Sequence, residues 1–255
     1  MKLLIKKIAN LKLIIYLRNL FNIRPKKSRA IDYLNPVTIS DSFIWRTDSG
    51  FSTKFKFTDI LNLFYKIENS WVEIHIYSKN NILLKIEKIE NLDFSNEFEI
   101  TAEYLDNLED YGVFYIYHFT KNPLQRNNAV SNRCYLGFSK NGSLHSFVHG
   151  NSLAKYTTIK PSKLISNLTD KTSIFKDVNY KIQKYFYGFE KNELFFANYT
   201  SQNIKFTLEN QDYKLKSGCS IIIKTFNPTL HIISNCYLRP TIFSYNKEFF
   251  DVHHA

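Results

Sequence analysis

Hydrophobic and polar positions alternate with a period of two through much of the chain beyond residue 35. The clearest run is Phe51–Phe57, where Phe51, Phe55 and Phe57 share one face and Ser52, Lys54 and Lys56 the other. Successive side chains of a strand point to opposite sides, so this run predicts a half-buried strand. Trp71–Tyr77 sets Val72, Ile74 and Ile76 against Glu73, His75 and Tyr77. A turn at Ser78–Asn81 follows, and Ile82–Ile89 returns as the second arm of a hairpin. Phe98, Ile100, Ala102 and Tyr104 alternate with Glu97, Glu99, Thr101 and Glu103. Tyr111–Phe119 is apolar nearly throughout, which predicts a central strand covered on both faces. Earlier in the chain, Phe43–Arg46 reads as a strand turning at Asp48–Gly50, and Thr58-Asp59 as the cap of a short helix through Tyr65.

The second half is punctuated differently. Lys121–Ala129, with Pro123, reads as a loop. Residues 157–178 lose the alternation and read as a connection with one short helix at Pro161–Leu168. Strands are expected at 180–189, 193–200, 202–209, 213–226 and 229–234, with Asn210-Gln211-Asp212 and Asn227-Pro228 as breaks. Two stretches resemble each other. Ser131-Asn132-Arg133-Cys134-Tyr135-Leu136 leads to Ser146-Phe147-Val148-His149, and Ser234-Asn235-Cys236-Tyr237-Leu238 leads to Asp251-Val252-His253. Each reads strand, turn, strand, with turns at Lys140-Asn141-Gly142 and Tyr245–Lys247, and with Val148 and Val252 facing the core. The expected fold is mainly β: two antiparallel β-sandwich units related by internal duplication, preceded by a basic N-terminal helix. The divisions are a basic helical arm at 1–31, a first unit at 32–156, a connection at 157–178 and a second unit at 179–255. One larger sandwich spanning both units is the alternative.

Charge changes this picture at one end only. The formal net charge is +11, but nine of the 34 basic residues lie in residues 1–31, and no acid occurs before Asp32. The remaining 25 face 23 acidic residues, so the body is nearly balanced. Nucleic-acid binding by the body is therefore disfavoured, and it has no run of basic and aromatic residues of the RNA-binding kind. In the arm, Leu4, Ile8, Leu11 and Ile15 form a helical stripe, while Lys6, Lys7, Lys12 and Arg18 interrupt any spanning segment. The arm does not read as a signal peptide, because charges break its apolar run and no small-residue cleavage site follows. Lys2, Lys6, Lys7, Lys12 and Arg18 are candidate contacts to an anionic membrane surface, at about 1 kcal/mol each. A helix docked on the body with its lysines outward is the competing reading. Cys134, Cys219 and Cys236 cannot all pair and have no CxxC spacing, which suits buried thiols in a reducing compartment.

Candidate chemistry is sparse. There is no HExxH, GxSxG, P-loop or GxGxxG. His149 and His253 occupy equivalent places in the two hairpins and would make a metal pair if they faced each other, but hydrogen-bonded strand-end histidines explain them as well. No cofactor is expected. Arginine is scarce and grips carboxylate or phosphate bidentately. An anionic-ligand cleft is therefore assembled from Trp45, Arg46, Asp48, Arg133, His149, Asn151 and Arg239, with an Arg46–Asp48 pair as the structural alternative.

The first 31 residues resemble the basic Lys/Ile/Leu-rich leaders of bacterial surface-polysaccharide biosynthesis proteins, which implies work at the cytoplasmic face of the membrane. Val72–Leu105 followed by Tyr111–Phe119 resembles the small β-sandwiches of the sensory rhodopsin transducer type, which implies a non-enzymatic ligand- or partner-binding module. Neither resemblance carries over a functional residue. The reading is a cytoplasmic, peripheral membrane-associated binding protein in surface-glycan assembly, recognising a glycan, nucleotide-sugar or other anionic ligand. Its rivals are a metal-dependent, cupin-like enzyme acting on a sugar or nucleotide-sugar, and a structural homo-oligomer built by edge-strand pairing.

Overall fold

The computed structural model describes residues 11–21, 36–122, 129–131, 134–161, 164–168, 178–182, 188–227, 229–247 and 249–254. In the arm, α1 spans Lys12–Leu20 and leaves Leu13, Leu17 and Leu20 exposed. Lys2, Lys6 and Lys7 lie outside the described residues.

The body is mainly β. Its first strands, β1 (Val37–Asp41) and β2 (Phe43–Arg46), are separated by Ser42 alone. They are followed by β3 (Phe51–Phe57), α2 (Ile60–Tyr65), β4 (Ser70–Ser78), β5 (Leu83–Ile89), β6 (Asn96–Ile100) and β7 (Tyr111–Thr120). Asp59 caps α2 by accepting the N–H groups of Leu61 and Asn62. After β7 come β8 (Ala129–Ser131), β9 (Tyr135–Lys140), β10 (Ser146–His149), β11 (Leu153–Thr158) and β12 (Ser166–Asn167). These strands form three sheets, ordered β2-β7-β4-β5, β10-β9-β3-β6 and β12-β11-β1-β8.

The first two sheets pack through Phe43, Phe55 and Phe114, whose ring centroids lie 4.9–5.3 Å apart. The third is tied on by β1. Where β2 stops pairing with β7, the hydroxyls of Ser40 and Thr38 accept the N–H groups of Ile116 and His118, each at 2.9 Å. These hydroxyls take the place of strand carbonyls, which is why Thr38 and Ser40 are buried although polar. Gly112 permits a close approach here. A Cβ at that position would stand 2.1 Å from the Tyr77 carbonyl, the oxygen that accepts the Trp45 indole N–H.

The chain continues through β13 (Val178–Ile182), β14 (Lys191–Ala197), β15 (Ile204–Leu208), β16 (Gln211–Leu215), β17 (Ser220–Thr225), β18 (Leu230–Ser234), β19 (Thr241–Tyr245) and β20 (Phe250–His254). They make two sheets, β13-β18-β15-β16 and β17-β14-β19-β20. The second of these is apolar on both faces. Leu194, Phe196 and Ile242 pack with Phe206, Leu208 and Ile232 of the neighbouring sheet. Phe195, Ala197, Phe243 and Val252 join the main core, with Phe43, Phe51 and Phe138 of the first half. One sheet thus serves as wall to two cores.

Several sequence expectations need correction. The helix expected at Pro161–Leu168 does not reach Ser166–Asn167, which is extended and pairs with β11. The stretch 213–226 is two strands broken at Gly218, which sits at φ +73°. The alternation through Tyr104 ends at Ile100, beyond which Asp106 and Asn107 adopt left-handed backbone in a tight turn. The triplets also differ: Cys134-Tyr135-Leu136 leads into β9, whereas Cys236-Tyr237-Leu238 crosses irregularly between β18 and β19. Val148 and Val252 are both buried.

Candidate functional site

The most densely bonded side chain in the body is Arg46, at the end of β2. It is 2% exposed, and all three of its guanidinium nitrogens are engaged. Nε and one terminal nitrogen donate to the two Asp48 oxygens at 2.9 and 2.8 Å. The other terminal nitrogen donates to Glu193 on β14 at 2.7 Å and to the Tyr245 hydroxyl on β19 at 3.3 Å. The guanidinium carbon lies 4.2 Å from the Phe51 ring centroid and 4.7 Å from that of Phe243. The turn that returns Asp48 is made by Ser49 and Gly50, both at positive φ.

Burial alone would lower the Arg46 pKa, but Asp48, Tyr245 and Glu193 outweigh burial and raise it. Burial would also raise the Glu193 carboxyl, yet Arg46, the Tyr245 hydroxyl and Lys191 hold it at about 2. Two acids and two bases, counting Lys191 at 3.3 Å from Glu193, leave the cluster neutral. With all three guanidinium nitrogens engaged, this cluster clamps the two halves together.

The open site lies directly above it. The β9–β10 and β19–β20 hairpins run side by side. The Ser146 hydroxyl donates to Asp251 at 2.6 Å and accepts the Val252 N–H at 2.9 Å. The His254 ring donates from Nε2 to the His149 carbonyl at 2.8 Å. Between the two hairpin tips lies a groove of about 640 Å³, bounded by Lys140, Asn141 and His145 on one side and by Asn246, Lys247 and Phe249 on the other. Tyr245 and Phe250 line it as well, with Asp251. Tyr245 connects the groove to the clamp, because its hydroxyl donates to Glu193 at 2.7 Å. The Lys140 ammonium sits 5.0 Å from the Tyr245 ring centroid. Among the described residues, neither Lys140 nor Lys247 has a carboxylate at ion-pair distance. The Nε2 of His145 is buried without a hydrogen-bond partner. Two lysines face one acid, so the groove is mildly positive and rich in amide and aromatic groups.

The residues expected to form one cleft are, where described, distributed over two places. Trp45 and Arg46 are buried, with Asp48 beside Arg46. Asn151 and Arg239 bond reciprocally at the surface: the Asn151 amide donates to the Arg239 carbonyl at 2.8 Å, and Arg239 donates to the Asn151 carbonyl at 2.9 Å. His149 lies near them with its ring 4.4 Å from that of Tyr135. Arg133 lies outside the described residues. The His254 ring is the one that reaches the His149 carbonyl, and burial followed by Arg239 lowers its pKa to about 4. Among the described residues, no group of three or more His, Cys, Asp or Glu is placed to hold a metal. The groove residues carried a signal that sequence reasoning passed over. Both turns pair asparagine with lysine, as Lys140-Asn141 and as Asn246-Lys247.

No known family matches the chain, and no curated protein matches it. Two solved structures are similar over most of its length. One is an anti-sigma factor domain-containing protein, 10% identical, with 84% of this chain and 80% of that chain covered and a TM-score of 0.21. The other is the major pilin protein of Streptococcus pyogenes, 11% identical, with 86% and 98% covered and a TM-score of 0.21. Superposition this poor carries no argument about function.

Proposed function

We propose that the chain is a peripheral membrane-associated binding protein that takes an acidic saccharide in the groove between its two hairpin tips. The groove carries the reading. Two lysines with no carboxylate at ion-pair distance among the described residues, and two asparagines, surround a space of about 640 Å³ that Tyr245 and Phe250 also line. Lysine and amide donors suit hydroxyl, carboxylate and phosphate oxygens, and an aromatic face suits the apolar side of a sugar ring. The duplication read in the sequence fits this use, since each hairpin contributes one wall and buries its valine. The arm supports the location: α1 leaves Leu13, Tyr16, Leu17 and Leu20 exposed within a segment rich in lysine. Placed on the inner face of the membrane, such a protein would serve surface-polysaccharide assembly.

The test is calorimetric titration with glucuronic acid, glucose 1-phosphate, a nucleotide-sugar and glucose. The acidic ligands are expected to bind and glucose to bind weakly. Lys140→Met and Lys247→Met should each weaken the acidic ligands about tenfold, or about 1.4 kcal/mol. Equal binding of glucose, or lysine variants that bind as the parent does, would sink the reading.

A second reading has one observation in its favour. β5 is the edge of its sheet and exposes Leu83 and Ile86, with Ile82 beside them, as an edge-paired oligomer would require. Lys85 and Lys88 on the same strand oppose such pairing. Light scattering of the purified chain decides between monomer and discrete multimer.

A further inference from the structure

Away from the groove, the outward face of β4 and β7 collects polar aromatic side chains. Tyr77, Tyr115 and Tyr117 share it with His75 and Glu73, because all five sit at odd positions of paired strands. Tyr115 and Tyr117 are essentially inaccessible, while Tyr77 is half-buried. The hydroxyls of both buried tyrosines lack a well-formed hydrogen bond, and so does the Ser42 hydroxyl next to Tyr115. Leaving such a group dry and unmet destabilises the fold.

Lys155 of β11 closes this face. Its ammonium lies 4.7 Å from the Tyr115 ring centroid and 5.3 Å from that of Tyr77. Among the described residues no carboxylate lies at ion-pair distance from it. Glu73, the acid on the same face, is taken by His75 at 3.2 Å. Tyr199, whose hydroxyl donates to Ser152 at 3.3 Å, borders the cluster near Tyr115. The Lys155 ammonium thus packs on the faces of two tyrosine rings without a carboxylate at ion-pair distance among the described residues, while Glu73, the acid of this face, is engaged by His75. Burial lowers the Lys155 pKa, so in the empty site the ammonium is held at a cost that a bound negative charge would remove.

We propose that Lys155, Tyr77, Tyr115 and Ser42 form a binding site for a small oxyanion, a carboxylate or phosphate group, separate from the hairpin groove. Lys155 and Tyr77 form its mouth and Tyr115 its floor. The anion is held by one charge-assisted contact and by phenol and hydroxyl donors, the combination that leaves its oxygens best satisfied. A free metabolite and the acidic end of a larger molecule present the same chemistry.

The test is acetylation footprinting of Lys155 by acetic anhydride at neutral pH on the full chain, read by mass spectrometry, with thermal melts alongside. Inorganic phosphate and acetate are the probes, and chloride at equal ionic strength is the control. Millimolar phosphate or acetate should slow the labelling of Lys155 at least threefold and raise the melting temperature. Lys155→Met should abolish the rise in melting temperature and Tyr115→Phe should reduce it. Lys140→Met, in the groove, should leave it intact. Protection by phosphate alone would assign the site to phosphate groups, and protection by acetate alone to carboxylates. Labelling that neither anion slows beyond chloride, or a rise in melting temperature that survives Lys155→Met, overturns the proposal. Loss of the effect in Lys140→Met but not in Lys155→Met would place the anion in the groove instead.

Discussion

Arg46 and Glu193 stand 147 positions apart in sequence and 2.7 Å apart in the fold. Removing one partner of a buried pair leaves the other charged and desolvated, at a cost of about 3–5 kcal/mol. Arg46→Met should therefore destabilise strongly, as read by urea unfolding. Arg46→Met combined with Glu193→Gln should recover a large part of the loss, because the stranded carboxylate is gone. A double variant as unstable as the sum of the singles would show that the pair is not coupled. His118 works at the same scale. Burial lowers its pKa to about 3 against an ordinary value near 6.5, so the folded state holds it neutral while the unfolded state takes up a proton. Its contribution to stability is present above about pH 6.5 and is lost as pH falls toward 3. At pH 5 the loss from this residue is about 2 kcal/mol. Denaturant midpoints at pH 7 and pH 5 should show that drop, and His118→Gln should shrink it.

At the scale of elements, legibility followed periodicity. Phe51–Phe57 was readable because its inward and outward residues alternate without exception in the fold as well. Tyr111–Phe119 was readable because a strand between two others, covered on both faces, must be apolar throughout. β1 was not readable. Val37–Asp41 is wholly buried yet half polar, and its Thr38 and Ser40 hydroxyls accept from the backbone of β7, some eighty residues later. The groove was half legible: its turns were placed correctly, but nothing local says that two turns 105 residues apart stand side by side. Ser146 holds them there. Ser146→Ala leaves the Val252 N–H and an Asp251 oxygen without their partner and should cost about 1–3 kcal/mol. Val148→Asp or Val252→Asp, which buries an unpaired charge beneath the same hairpins, should cost several kcal/mol more. Thermal melts of the three variants check that order. Aspartate variants that melt like the parent would mean that the hairpins do not pack as described.

For the whole molecule, the two-faced β17-β14-β19-β20 sheet makes the halves one unit, and the arm stands apart from that unit in both charge and surface. Nine basic residues precede the first acid, while the rest of the chain is nearly neutral, so any attraction to an anionic surface is concentrated at one end. At about 1 kcal/mol for each basic residue near the bilayer, a few contacts give measurable binding, and the exposed Leu13, Tyr16, Leu17 and Leu20 add burial in the interface. No helix among the described residues is long and apolar enough to cross a membrane. Liposome flotation separates the two contributions. The full chain should float with vesicles containing phosphatidylglycerol at low salt, and a chain starting at Asp32 should stay behind. Raising the salt to about 0.5 M should weaken flotation, because screening acts on the charge term. Replacing Leu13, Leu17 and Leu20 by serine should weaken it at every salt concentration, because that loss is in apolar burial. If the chain starting at Asp32 floats equally well, the body itself meets the membrane and the arm must have another partner. If neither floats, the ligand proposed for the groove would have to be supplied from solution, and the proposed role on the inner membrane face would lose its support.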